Sequence, residues 1–187
     1  MPEIETSDGV RLWASDDGSG PPVVLVAGYT DGVRGIVSID QTPKMINAED
    51  WAYGFYGLAP DVSGTFFAGG VPATGRRRTV DLGSPALQRL IQRVGPEGLP
   101  GRLRPETLPL LHDHAQQDWR DVIARVGVPV LMVAGRESQY WPCEHAEAAV
   151  RDVAQGRAVV VEDSGHAVNF DQPDEFGRVL LDFLGEL

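Results

Sequence analysis

The spacing of apolar positions changes along this chain. Val23–Ala27 is a continuous apolar run, and Val33–Ile39 is a second that ends at Asp40. Unbroken runs of this length suit strands buried on both faces. Ahead of them, Ile4 and Val10–Ala14 flank Ser7-Asp8-Gly9, which predicts a short β-hairpin with an Asp-Gly turn. From Gln41 to about Ala115 the pattern becomes irregular and rich in Gly and Pro. Short helical pieces are expected there at Ser84–Val94 and Glu106–His114. Asp118–Val126 returns to a helical period, with Trp119, Val122, Ile123 and Val126 on one face.

The last third is the most regular part. Pro129–Ala134 reads as a buried strand, and Pro142 can open the helix that follows it. Ala146, Ala149, Val150 and Val153 line the inner face of that helix, and Arg157–Val161 is the next strand. Pro173 opens a final helix, with Asp174 and Glu175 favourable at its N-terminus. Phe176, Val179, Leu180, Phe183 and Leu184 form its apolar stripe. Strand, helix, strand, helix in that order predicts a parallel sheet covered by helices. The two early runs behave differently. Only Gly28–Gly32 separates them. Five residues reach under about 20 Å, whereas a parallel crossover needs roughly a dozen or more. An antiparallel hairpin is expected at that place.

Composition narrows the partners more than the fold. The 187 residues suggest one domain with a sizeable core. A formal net charge of −11 disfavours nucleic acid and anionic membrane surfaces. The one basic run, Arg76-Arg77-Arg78, reads as a solvated loop. Cys143 is the only cysteine, so no internal disulfide is possible, and the N-terminal stretch has neither a basic nor an apolar leader pattern. No transmembrane run is present, and a cytoplasmic location is expected. There is no phosphate loop, dinucleotide fingerprint or metal-ligand cluster, so no cofactor is implied. His112 and His114, at i and i+2, do not share a helix face.

Several segments together resemble the α/β-hydrolase family. Val23-Val24-Leu25-Val26-Ala27-Gly28-Tyr29 is similar to its third strand and oxyanion loop, and Val37-Ser38-Ile39-Asp40 to its sixth strand. Asp118–Ile123 followed by Val128-Pro129-Val130 resembles the approach to its seventh. Ser164-Gly165-His166-Ala167, then Gln172-Pro173-Asp174-Glu175-Phe176, resembles its histidine loop and last helix. The resemblance implies a serine hydrolase of small ester, lactone or other acyl substrates. The fold it implies is an incomplete α/β-hydrolase sheet, mostly parallel strands flanked by helices, with a helical or irregular cap. Residues 1–40 and 118–187 would form the two parts of the core, and 41–117 the cap-like region.

The resemblance also implies roles. His166 would be the general base. The acid is open between Asp40, after the sixth strand, and Glu137, in the loop after the seventh. Three residues past the glycine ending the seventh strand, where most relatives carry the acid, this chain has Ser138. A serine cannot hold an imidazolium by charge. Gly28 and Tyr29 would supply the oxyanion loop, and Trp51 and Trp141 would line an apolar pocket. The nucleophile has no counterpart. No serine of the chain stands in G-x-S-x-G. In Gly28-Tyr29-Thr30-Asp31-Gly32 the central residue is Thr30, and a strand follows it where the elbow requires a helix. The expectation is a chain inactive for want of the elbow, in which either the sheet is rearranged or a block of roughly seventy to ninety residues is missing. The other readings are a non-catalytic binder of small ligands and an internal-deletion product without function.

Overall fold

The computed structural model describes residues 3–5, 11–13, 23–28, 32–76, 83–94, 106 and 108–187. Two short strands, β1 (Glu3–Glu5) and β2 (Arg11–Trp13), pair antiparallel, as the Asp-Gly pattern predicts. The main sheet has four strands in the order β3 (Val23–Gly28), β4 (Gly32–Ile39), β5 (Val130–Gly135) and β6 (Gly156–Val161). Strands β4, β5 and β6 run parallel, and β3 runs antiparallel to β4. The short link between β3 and β4 leaves no length for a crossover, so the chain turns straight back. The hairpin carries an irregularity at Val26/Ala27 and closes with Gly28 opposite Gly32.

The parallel strands bury both faces, and the two-residue period divides their side chains. Val37, Ile39, Leu131, Val133 and Val161 face the final helix, α6 (Pro173–Leu184), and meet its Val179 and Phe183. Val130, Met132 and Ala134 face the other way, toward α4 (His145–Val150), and pack with Ala146, Val150 and Val153. Proline at the first turn and acidic residues beside it explain why α6 starts where it does. A single turn, α5 (Val168–Asp171), precedes α6 and was not anticipated from the sequence.

Between β4 and β5 lie α1 (Pro85–Val94), α2 (Leu108–Gln116) and α3 (Arg120–Ala124). The helix expected over Asp118–Val126 is corrected to those five residues. Ile123 and Val126 pack near α4, but Trp119 and Val122 are each 44% exposed. The cause is a pinned entry. Lys44 and Asp118 form an isolated bridge, the Trp119 N–H donates to the Pro43 carbonyl, and Arg120 is tied to Asp50 and Asp118. These bonds fix the backbone before the helix can present all four apolar residues to one neighbour.

The irregular stretch after β4 has an apolar centre of its own. Met45, Phe55, Leu58 and Phe67 are buried with Ala115 and Trp141. Phe55 stacks on Tyr140 at 5.3 Å, and the Tyr56 N–H donates to the Tyr140 carbonyl. This stretch therefore packs on the loop that leaves β5. Gly54 is required there, because a Cβ would fall 2.2 Å from the Met45 carbonyl oxygen.

Candidate active site

Three parallel strands end at one edge of the sheet, and their loops converge. Asp40 follows β4, residues 136–141 follow β5, and Ser164-Gly165-His166 follows β6. The carboxyl end of a parallel sheet is where open α/β folds build their sites.

Asp40 is fully buried and adopts the left-handed region, φ 44°. Asp tolerates that region better than most residues. The turn directs its carboxylate at the neighbouring loops. Oδ1 accepts the Gly135 N–H at 2.9 Å. Oδ2 accepts the Ser138 hydroxyl at 2.6 Å and lies 2.9 Å from His166 Nδ1. Since an ionised carboxylate only accepts, the proton sits on His166 Nδ1, and Nε2 is left as the basic nitrogen. Burial alone pushes the Asp40 carboxyl upward. The nearby His145 imidazole, 3.6 Å from Oδ1, and the hydrogen bond with His166 outweigh that, and the group ends below its ordinary value of 3.8.

The other expected site residues fall into two groups. Trp141 is buried, with its ring 5.4 Å from that of His166 and nearly perpendicular. Tyr140 approaches the same imidazole edge-on at 4.7 Å. Trp51 is buried elsewhere: its Nε1–H donates to the Lys44 carbonyl, and its ring meets Tyr53 and the Arg120 guanidinium. Glu137 is exposed, and its backbone N–H donates to the Ser164 carbonyl. The carboxylate on His166 Nδ1 is that of Asp40. Gly28 ends β3. Tyr29, Thr30, Arg77 and Arg78 lie outside the described residues.

Three contributors carried no sequence signal strong enough to single them out. Ser138 occupies the place where the resemblance puts an acid, and its hydroxyl donates to the Asp40 carboxylate that follows β4. Gln139 accepts the His166 N–H through Oε1 at 2.9 Å, and its carbonyl takes the Thr74 hydroxyl at 2.6 Å. It thus joins the histidine loop to the stretch after β4. His145, at the start of α4, is fully buried with Nε2 3.6 Å from Asp40 Oδ1. Gly135 has to be glycine for the loops to meet at all: a Cβ there would fall 2.1 Å from the Gly165 carbonyl oxygen. Among the described residues, no three His, Cys, Asp or Glu side chains are grouped to hold a metal, and no helix is long and apolar enough to cross a membrane.

The sequence model described as the alpha/beta hydrolase family matches residues 9–179. Two pimeloyl-acyl-carrier protein methyl ester esterases from Stenotrophomonas maltophilia are similar, at 28% and 27% identity. Each match covers 83% of this chain and 61% of the relative, so the chain spans about three-fifths of their length. An esterase from Exiguobacterium antarcticum has a similar structure, with a TM-score of 0.50 at 17% identity. That match covers 83% of this chain and 59% of the esterase, and at such identity it speaks to the fold alone.

Proposed function

The chain belongs to the α/β-hydrolase family, and from that premise we propose that His166 and Asp40 are the base and acid of a serine-hydrolase triad whose nucleophile this chain does not carry. The observation that carries the reading is the 2.9 Å contact between His166 Nδ1 and the buried Asp40 carboxylate. This contact orients the ring and leaves Nε2 to take a proton from a hydroxyl. Asp40 is favoured over Glu137 as the acid for the same reason.

The substrate class is a small ester, lactone or related acyl compound. The esterase names of the curated relatives support it, and so do the aromatic walls that Tyr140 and Trp141 set beside His166. Residues 41–117 would act as the cap, with Trp141 rather than Trp51 against the site. The missing partner is the serine. No serine of the sequence stands in a G-x-S-x-G elbow, so on this reading the base has no nucleophile of that kind to serve.

Rapid mixing with an activated ester such as p-nitrophenyl acetate tests this. The expected trace has no burst of p-nitrophenol. A stoichiometric burst that disappears in His166→Ala would overturn the proposal.

A second reading is favoured by the same aromatic walls. A chain that keeps the pocket and lacks the nucleophile would bind small acyl ligands without turning them over. Saturable binding of a carboxylate product, with cooperative thermal unfolding of a monomeric sample, would support it. A deletion product with no function would instead aggregate through unpaired strand edges.

A further inference from the structure

His145 is a buried histidine beside Asp40 with no role in the proposed triad. Its side chain is wholly excluded from solvent, and neither ring nitrogen has a hydrogen-bond partner. A buried polar group without a partner asks for an explanation. The ring is held by the chain around it. It opens α4, its neighbour Ala146 is buried against β5, and the Trp141 ring crosses it nearly at right angles at 6.1 Å. Nε2 points at Asp40 Oδ1 from 3.6 Å, a little beyond hydrogen-bond length.

The carboxylate has room for that contact. Its two oxygens offer about four acceptor sites. Oδ2 uses two, for Ser138 and His166, and Oδ1 uses one, for Gly135. The remaining site on Oδ1 is the one His145 faces. A ring shift of under about 1 Å brings Nε2 into bonding range. Because the carboxylate can only accept, that bond requires the proton on Nε2.

We propose that His145 is a positioning residue, a second histidine that donates Nε2–H to Asp40 Oδ1 and holds the carboxylate, from the side opposite His166, in the orientation that serves the base. The proposal rests on the reading of Asp40 as the orienting acid. Asp40 then sits between two imidazoles, one solvent-facing and reactive, the other sealed behind Trp141. The groups that face Asp40 are His145 from α4, the Gly135 N–H and Ser138 from the loop after β5, and His166 from the loop after β6. The Tyr56 phenol, in the stretch after β4, also feels its charge.

The test follows the Asp40 carboxyl carbon by carbon-13 spectroscopy against pH in the whole chain. In the unaltered protein the midpoint falls below 3.8. His145→Phe, which keeps the bulk and loses the donor, raises it by at least about one pH unit. His145→Gln, whose amide can replace Nε2–H, returns most of that shift. An unchanged midpoint in a cooperatively folded His145→Phe overturns the proposal. If that variant does not fold, the nitrogen-15 spectrum of His145 in the unaltered protein decides: a proton on Nε2 supports the assignment, and a proton on Nδ1 alone overturns it. Asp40→Asn separates this from the parent reading. Survival of the downfield His166 Nδ1 proton in that variant would end both. Its loss there, beside an Asp40 midpoint indifferent to His145→Phe, would end the assignment of His145 alone.

Discussion

At the scale of single residues, the site is organised by what surrounds Asp40. A lone buried carboxylate would take up a proton to avoid its charge. Here Gly135, Ser138 and His166 contact both oxygens and keep it ionised. Ser138 is the most economical place to test that. Ser138→Ala removes a hydroxyl from a buried charged acceptor, and hydrogen bonds of that kind contribute about 1.5–3 kcal/mol. The expected result is a loss of about 2 kcal/mol, read as a lower urea midpoint with an unchanged slope. Not every residue of the site was legible beforehand. His166 stood out because Ser-Gly-His-Ala lies between a strand and a helix with a clean apolar stripe. The choice between Asp40 and Glu137 depended on which loops meet at the sheet edge, which spacing alone does not decide. His145 carried no mark at all, since its significance lies in Asp40, which is 105 positions earlier in the chain.

At the scale of elements, the chain shows how local ties override periodicity. The apolar pattern of Asp118–Val126 asked for two and a half turns of helix, and the protein forms five residues. At the start of α3, Arg120 bonds both Asp50 and Asp118, and Lys44 lies within 3.5 Å of each acid. The Arg120 bonds hold Asp118 down to about 2, from an ordinary 3.8. A carboxyl depressed on folding stabilises the native state above its unfolded value, and that contribution disappears as pH falls through the folded value. The network therefore supports the fold fully above 3.8 and loses its effect on the way down to about 2. Asp118→Asn should flatten the decline in thermal midpoint across that window and leave its shape at neutral pH unaltered. An acid limb identical to that of the parent protein would show that the network contributes nothing. The β3–β4 hairpin is the opposite case. There the short link dictated the answer, and the antiparallel pairing is what chain geometry demanded.

At the scale of the whole molecule, three parallel strands, two apolar layers and a converging set of loops bring Asp40 and His166 together. The sheet positions Asp40 and His166 because both leave its carboxyl edge, and α4 and α6 seal its faces. The family was legible from the last third alone. The parallel part of the sheet was legible from the strand-helix order of that third, and the antiparallel edge from the five residues between the first two apolar runs. The proposed function is a base and an acid with no serine in a nucleophile elbow. Intact-mass analysis after treatment with a fluorophosphonate tests it most directly. The predicted result is an unmodified chain under conditions that fully label a serine esterase. A single covalent adduct on one serine or threonine, abolished by His166→Ala, would contradict it.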